Sequence, residues 1–262
     1  MIGRTLNQFT ALTQNTLREA LSNKVLYGVI VFALLTIAAT SVIGALSLHQ
    51  EERLFNDLIF LASVMFLAGL SIYQGIRSLQ TEIKSRTIFT VLAKPVSRTN
   101  FLVGRYIGSV VAIIIALLSI MALQALAAAI FGYELTVQHA AAYYGLFLQV
   151  AIVLAVAILF SSFSSPILSS IFTGAIFVAG SLTPQLREAI TYFAEKNVLV
   201  KYFAEAAMFV LPDFEKLNLS FELTHSIAIP PDYMLTITGY AIAYIGVVLS
   251  VTSLIFRRRD FS

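Results

Sequence analysis

Long apolar runs separated by short polar stretches divide this chain: Val25–Leu48, Leu58–Leu79, Phe101–Ile130, Ala140–Phe163, Ile167–Leu182 and Tyr233–Phe256. A helix needs about 20 apolar residues to cross the hydrocarbon of a bilayer, where every backbone polar group must be satisfied within its own segment. Six segments qualify, although the fifth is short and is expected to be tilted, broken or extended into the loop that follows it. Hydrophobic residues make up 58% of the chain and charged ones 12%, too little polar surface for an ordinary soluble domain. The expectation is therefore an all-α integral membrane protein, one transmembrane domain over residues 1–262 with six transmembrane helices.

Residues 5–24 place Leu6, Phe9, Leu12, Leu17 and Ala20 at helical spacing, which fits an interfacial helix lying flat on the membrane. A frayed polar tail is the plainer alternative. No compact apolar core followed by a small-residue cleavage site opens the sequence, so the first span is expected to act as the insertion signal.

Charge tests the topology independently of hydropathy. Six spans put both termini on one side, together with the stretch between spans two and three. Twelve of the seventeen Lys and Arg residues then share that side: Arg4, Arg18, Lys24, Arg77, Lys84, Arg86, Lys94, Arg98, Arg105 and Arg257–Arg259. Only Arg53, Arg187, Lys196, Lys201 and Lys216 lie opposite, with eleven of the fourteen acids. Basic residues beside spans are retained in the cytoplasm, so both termini are expected there. On the other face, His49–Asp57 reads as a short acidic loop and Gly132–His139 as a turn. The last loop, 183–232, holds two amphipathic helices at Pro184–Lys196 and Leu199–Leu211, with Pro184 at a start and Pro212 at a stop. Folding part of 199–211 back into the bilayer is a competing reading, opposed by Lys201 and Glu205.

Little in the chain carries chemistry. The spans hold almost no ionisable groups; Arg77 and Arg105 lie near the cytoplasmic ends and are expected to snorkel. A carrier coupled to protons or sodium usually keeps a charged or titratable group at mid-membrane, so self-powered transport is disfavoured. No GxxxxGK[ST] phosphate loop occurs, and any ATPase is expected on another polypeptide. There is no cysteine, hence no disulfide or thiolate site. His49 with Glu51, Glu52 and Asp57 could be imagined as a metal site, but no HExxH pair accompanies it, and a solvated acidic loop is the plainer reading. Polar residues within spans, including Ser71, Tyr73, Gln74, Ser109, Ser119, Gln124 and Gln149, are expected to serve interhelical hydrogen bonding. Ser161–Pro166 reads as a tight hairpin on the cytoplasmic side, a second and weaker contact surface for a partner.

What stands out is the basic stretch EIKSRTIFTVLAKPVSRTNFLVGRYIG, from Glu82 to Gly108. Ile83, Ile88, Val91 and Leu92 form a short amphipathic segment that Pro95 stops before the chain re-enters the bilayer at Phe101. A helix displayed outside the lipid and beneath two spans is placed to be gripped by a cytosolic partner; the bland alternative is a loop that only sets topology.

Glu82–Thr87, Val91–Arg98 with its Lys94-Pro95-Val96-Ser97-Arg98 run, and Phe101–Arg105 together resemble the loop after the second span of ABC-2-type ABC transporter permeases. The stretch 211–219 (LPDFEKLNL) and the closing Phe256–Phe261 resemble the branch containing the nitrous-oxide-reductase maturation permeases. The resemblance implies a non-enzymatic half-transporter, an exporter of a bacterial inner membrane, that pairs with a second copy of itself or a related permease. It further implies two cytosolic ABC ATPase subunits, which would carry the ATP and Mg, so no cofactor or metal is expected on this chain. Membrane lipids are expected neighbours and nucleic acid is not. Under this resemblance residues 82–100 form the coupling loop: Thr87, Ile88, Val91 and Leu92 would supply a small apolar contact, Glu82, Arg86 and Arg98 orienting charge, and Pro95 the stop. A role in copper chemistry would suggest thiols or clustered Met and His, and the sequence has neither, so that branch's substrate is not carried over. Two other classes stay open: a membrane-embedded enzyme working at the outer face around His49–Asp57 or 183–232, and a non-transporting anchor for partner proteins.

Overall fold

A computed structural model of the chain describes residues 28, 31, 32, 34, 35, 38, 51–84, 98–194, 198–225 and 227–258. Every regular element among them is helical: α1 (Glu51–Lys84), α2 (Arg98–Phe131), α3 (Val137–Ser161), α4 (Pro166–Ser181), α5 (Thr183–Ala194), α6 (Val198–Val210), a 3-10 turn (Glu215–Leu217), α7 (Ser220–Thr224) and α8 (Pro231–Arg258). Four of these, α1, α2, α3 and α8, are long and apolar enough to cross a membrane, and α4 with α5 makes a fifth if the bent pair counts as one span. Of the segment expected as the first span, 25–48, the described residues are helical, and Phe32 among them stacks on Phe66 of α1 at 4.6 Å between ring centroids. The expected flat N-terminal helix lies outside the described residues.

Helix α3 is the axis of the bundle. Its second half, Val150–Leu159, is an unbroken run of Ala, Val, Ile and Leu, apolar on every side, as befits a helix surrounded by protein. Fully 78% of its most apolar window is buried, against 22–39% in the other three long helices, and α1, α2, α4 and α8 all pack on it. Small residues set how closely they approach. A Cβ at Gly75 of α1 would lie 2.6 Å from the Cβ of Ala157 and 3.1 Å from the carbonyl oxygen of Leu154, so α1 and α3 nearly touch backbone to backbone there.

The short fifth segment is broken, by 75°, at the junction of α4 and α5. Pro184 is the reason. In a continuing helix its N–H would bond the carbonyl of Gly180, and proline has none. That carbonyl instead accepts the Thr183 hydroxyl at 2.7 Å and the backbone N–H of Phe214 at 3.1 Å. The break thus doubles as an anchor for residues 211–225. This segment folds back onto the bundle and buries Phe214, Leu217, Leu219 and Leu223 in the main core. Gly145 and Gly180 make room for it: a Cβ at either would meet the carbonyl of Leu217 at 2.4 Å or that of Pro212 at 2.5 Å. Beyond it, Asp213 accepts Arg187 of α5 at 2.9 Å and Lys216 at 3.3 Å, and its N–H donates to Tyr240 of α8 at 2.8 Å.

Several boundaries move. The stretch expected as an acidic loop at 49–57 is helical from Glu51, because Phe55 and Ile59 are buried against Ala127 and Ala128 and acidic residues suit a helix N-terminus. The two amphipathic helices of the last loop occur at Thr183–Ala194 and Val198–Val210 and pack on each other. At 13 residues the second is too short to cross a bilayer.

Candidate functional site

The helices alternate in direction, and side-chain contacts fix two poles. At one, α1 ends at Lys84, α2 begins at Arg98, and α8 ends at Arg258. Gln80, in the last turns of α1, donates its amide to the carbonyls of Ser161 at 3.2 Å and Ser164 at 2.9 Å. The Ser161 hydroxyl returns a bond to the carbonyl of Ile76 at 3.3 Å. The serine-rich hairpin between α3 and α4 is therefore fastened to the helix that leads into the basic stretch. Across the same pole Thr99 bonds Ser253 at 2.8 Å, and Phe101 stacks on Phe256 at 6.3 Å. Of the expected coupling residues, Glu82 lies in the last turn of α1 and Arg98 opens α2. Arg86, Thr87, Ile88, Val91, Leu92 and Pro95 lie outside the described residues.

Arg105 differs from the expectation of snorkelling. It is 2% exposed, turned into the bundle with its guanidinium 5.6 Å from the centroid of the Phe101 ring. A cation over an aromatic face keeps part of its electrostatic stabilisation when withdrawn from water, and the Phe101 ring also stacks on Phe256 of α8. Arg77, about one turn before Gln80, sits over Tyr73 in the same way and donates to its hydroxyl.

The opposite pole carries the acids, and two polar clusters organise it. In the first, the Thr136 N–H donates to Nδ1 of His139 at 3.1 Å, so Nδ1 bears the lone pair and Nε2 the proton. Nε2 then donates to Oδ1 of Asn56 at 3.2 Å. The Gln124 amide reaches the same oxygen at 3.5 Å, and Tyr143 donates its phenol to Oε1 of Gln124. Gln124 and Tyr143 are both buried, so this chain joins α1, α2 and α3 through the interior. Other polar residues within spans do not behave as expected: Ser119 bonds back to Ile115 on its own helix, and the Ser71 and Ser109 hydroxyls and the Gln74 amide nitrogen have no partner among the described residues.

In the second cluster, Nδ1 of His225 bonds the carbonyl of Phe221 at 2.9 Å, so Nδ1 carries the proton and Nε2 accepts Arg53 at 2.9 Å. One turn along α1, Asp57 accepts the Thr224 hydroxyl. These contacts close one end of a cavity of about 560 Å³ between α1, α4 and residues 214–225, with Gln149 of α3 also in its wall. Sequence reasoning placed Arg53, Asp57 and His225 in loops and did not bring them together. The usable signal was the apolar content of 211–223, unusual for a loop that water surrounds. Glu52 accepts the N–H of Glu134 at 3.3 Å, and among the described residues no three His, Asp or Glu side chains are placed to share a metal ion; His49 lies outside them.

No protein-family model and no curated protein matches this chain.

Proposed function

We propose that this chain is the membrane-spanning permease subunit of an ATP-driven exporter, working as a dimer and moved by separate cytosolic ABC ATPases that bind residues 82–98. The reading rests on the resemblance of that stretch and on one structural observation: both of its flanks are continuous with long bundle helices, and Gln80 fastens the first flank to the α3–α4 hairpin. A displacement imposed on Glu82–Arg98 is therefore passed to α1 and, through the hairpin, to the central helix α3. Interiors this closely packed repack between discrete arrangements rather than deforming continuously, which suits an inward–outward alternation. In this reading the basic pole faces the cytoplasm of a bacterial inner membrane, as the Lys and Arg bias requires.

The second copy has a surface to meet. On α4 only Ser169, Thr173, Phe177 and Gly180 are buried, while Ile167 and Ile171, toward its basic-pole end and away from the cavity, are each more than half exposed. A membrane enzyme at the acidic pole is the weaker reading, because Glu52, Asp57 and His225 are each engaged in holding α1 to residues 134–225. Co-expression with a candidate ATPase tests the proposal. Glu82→Lys and Leu92→Asp are expected to abolish the permease-dependent stimulation of ATP hydrolysis while membrane insertion is kept. Unchanged stimulation in both variants would refute coupling through this segment.

A further inference from the structure

We infer that the cavity at the acidic pole is a binding site for a phospholipid with a phosphate and a primary ammonium in its headgroup, entered sideways from the bilayer. The inference rests on the bilayer placement in the proposed function and not on the ATPase pairing. The cavity's volume of about 560 Å³ falls within the roughly 300–1,000 Å³ of ligand sites, which combine apolar walls with a few placed polar groups. Its walls include Phe60, Val64, Phe177 and Phe214, with Gln149 and Ser181 among them; Arg53 and Asp57 lie with His225 and Thr224 at one end, and Glu215 is also in the lining.

The opening lies on the side facing hydrocarbon. Leu61 and Met65 of α1 and Val178 and Leu182 of α4 line the cavity, yet each is 45–59% exposed. An acyl chain passing between α1 and α4 would meet these four apolar side chains.

The polar end selects the headgroup. Arg53 is exposed, and its partner is the neutral ring of His225, which takes a single donor. The guanidinium has five donors in a planar fork that matches a phosphate, and among the described residues no carboxylate lies within ion-pair distance of it. Asp57 lies four residues on, on the same face of α1, with Oδ1 occupied by Thr224; its second oxygen and Glu215 supply negative charge for an ammonium. A purely anionic headgroup would meet that pair of carboxylates unfavourably, and an uncharged one would leave Arg53 unused.

The chain contains no tryptophan, so Leu61→Trp places a lone indole in the cavity wall about two helical turns from Arg53. Quenching by lipids brominated along the acyl chain reports entry directly. Phosphatidylethanolamine is expected to quench at about tenfold lower concentration than phosphatidylglycerol. R53Q should weaken both lipids, since both carry the phosphate that Arg53 meets, while D57N with E215Q should remove the difference between them by improving phosphatidylglycerol. Equal quenching by both lipids and by a brominated fatty alcohol would overturn the inference, as would R53Q behaving like the parent. Native mass spectrometry of the unsubstituted protein gives a second reading that needs no indole: retained phosphatidylethanolamine supports the site, whereas a lipid-free dimer covering the α1–α4 opening refutes it. A chain that binds this lipid yet stimulates no ATPase would keep the site and discard the transporter.

Discussion

Gly75→Ala tests the central packing of the bundle, because the cost of one methyl group there follows from the structure. The new Cβ would sit 2.6 Å from the Cβ of Ala157, 3.1 Å from the carbonyl oxygen of Leu154 and 3.4 Å from the amide nitrogen of Ile158. Two of these are backbone atoms, so no rotamer change relieves the overlap. Carbon atoms prefer about 3.5–4.0 Å, so α1 and α3 must part by about 1 Å. Overpacking of this kind costs about 1–3 kcal/mol, while replacing Gly by Ala inside a helix returns about 1 kcal/mol of propensity. Gly69, on the same helix, separates the two effects: a Cβ there meets nothing within 4 Å. Gly69→Ala should therefore stabilise slightly, and the difference between the two variants, about 1–3 kcal/mol, isolates the α1–α3 contact. For a protein of this size each kcal/mol moves Tm by about 2–4 °C. Thermal loss of helical circular dichroism in detergent should place Gly75→Ala several degrees below Gly69→Ala. Equal midpoints, or Gly75→Ala the higher, would refute the close approach.

Three further outcomes follow from other contacts. Tyr143→Phe removes the donor to buried Gln124 and should cost about 1 kcal/mol in the same thermal assay, the scale of hydrogen bonds between helices in lipid; Gln124→Leu combined with it should add little more. Asp213→Ala frees Arg187 and Lys216, both more than half exposed, so global stability should change by less than about 1 kcal/mol; trypsin should nonetheless cut near 187 and 216 several times faster. Gln80→Leu unfastens α1 from the serine hairpin, and should lower stimulated ATP hydrolysis while the ATPase still copurifies; stimulation equal to the parent's would show that the hairpin carries no force.

Much of the helical layout was legible from the sequence, since length and apolarity alone decide where a helix can cross. The α4–α5 break was half legible. Pro184 announced a helix start, but the 75° turn depends on Gly180's carbonyl finding Thr183 and Phe214, the second of which is 34 residues away. The return of 211–225 into the core depends on Gly145 and Gly180, whose neighbours along the chain give no hint of what they leave room for. Position near a span end suggested that Arg105 would reach for water; packing at the α2–α8 crossing buries it over Phe101 instead. Arg53, Asp57 and His225 were visible as charged residues, yet only the fold brings α1 and α7 together around them.

In the proposed function this chain takes its force from a separate ATPase through residues 82–98. A photo-crosslinking residue at Val91, on the stretch between α1 and α2, tests this when the chain is expressed with a candidate ATPase and the adduct is assayed after purification. The expected result is a crosslink to a chain that hydrolyses ATP, lost when Leu92→Asp is added. Crosslinking to lipid alone, or full function in a preparation with no nucleotide-hydrolysing chain, would contradict it.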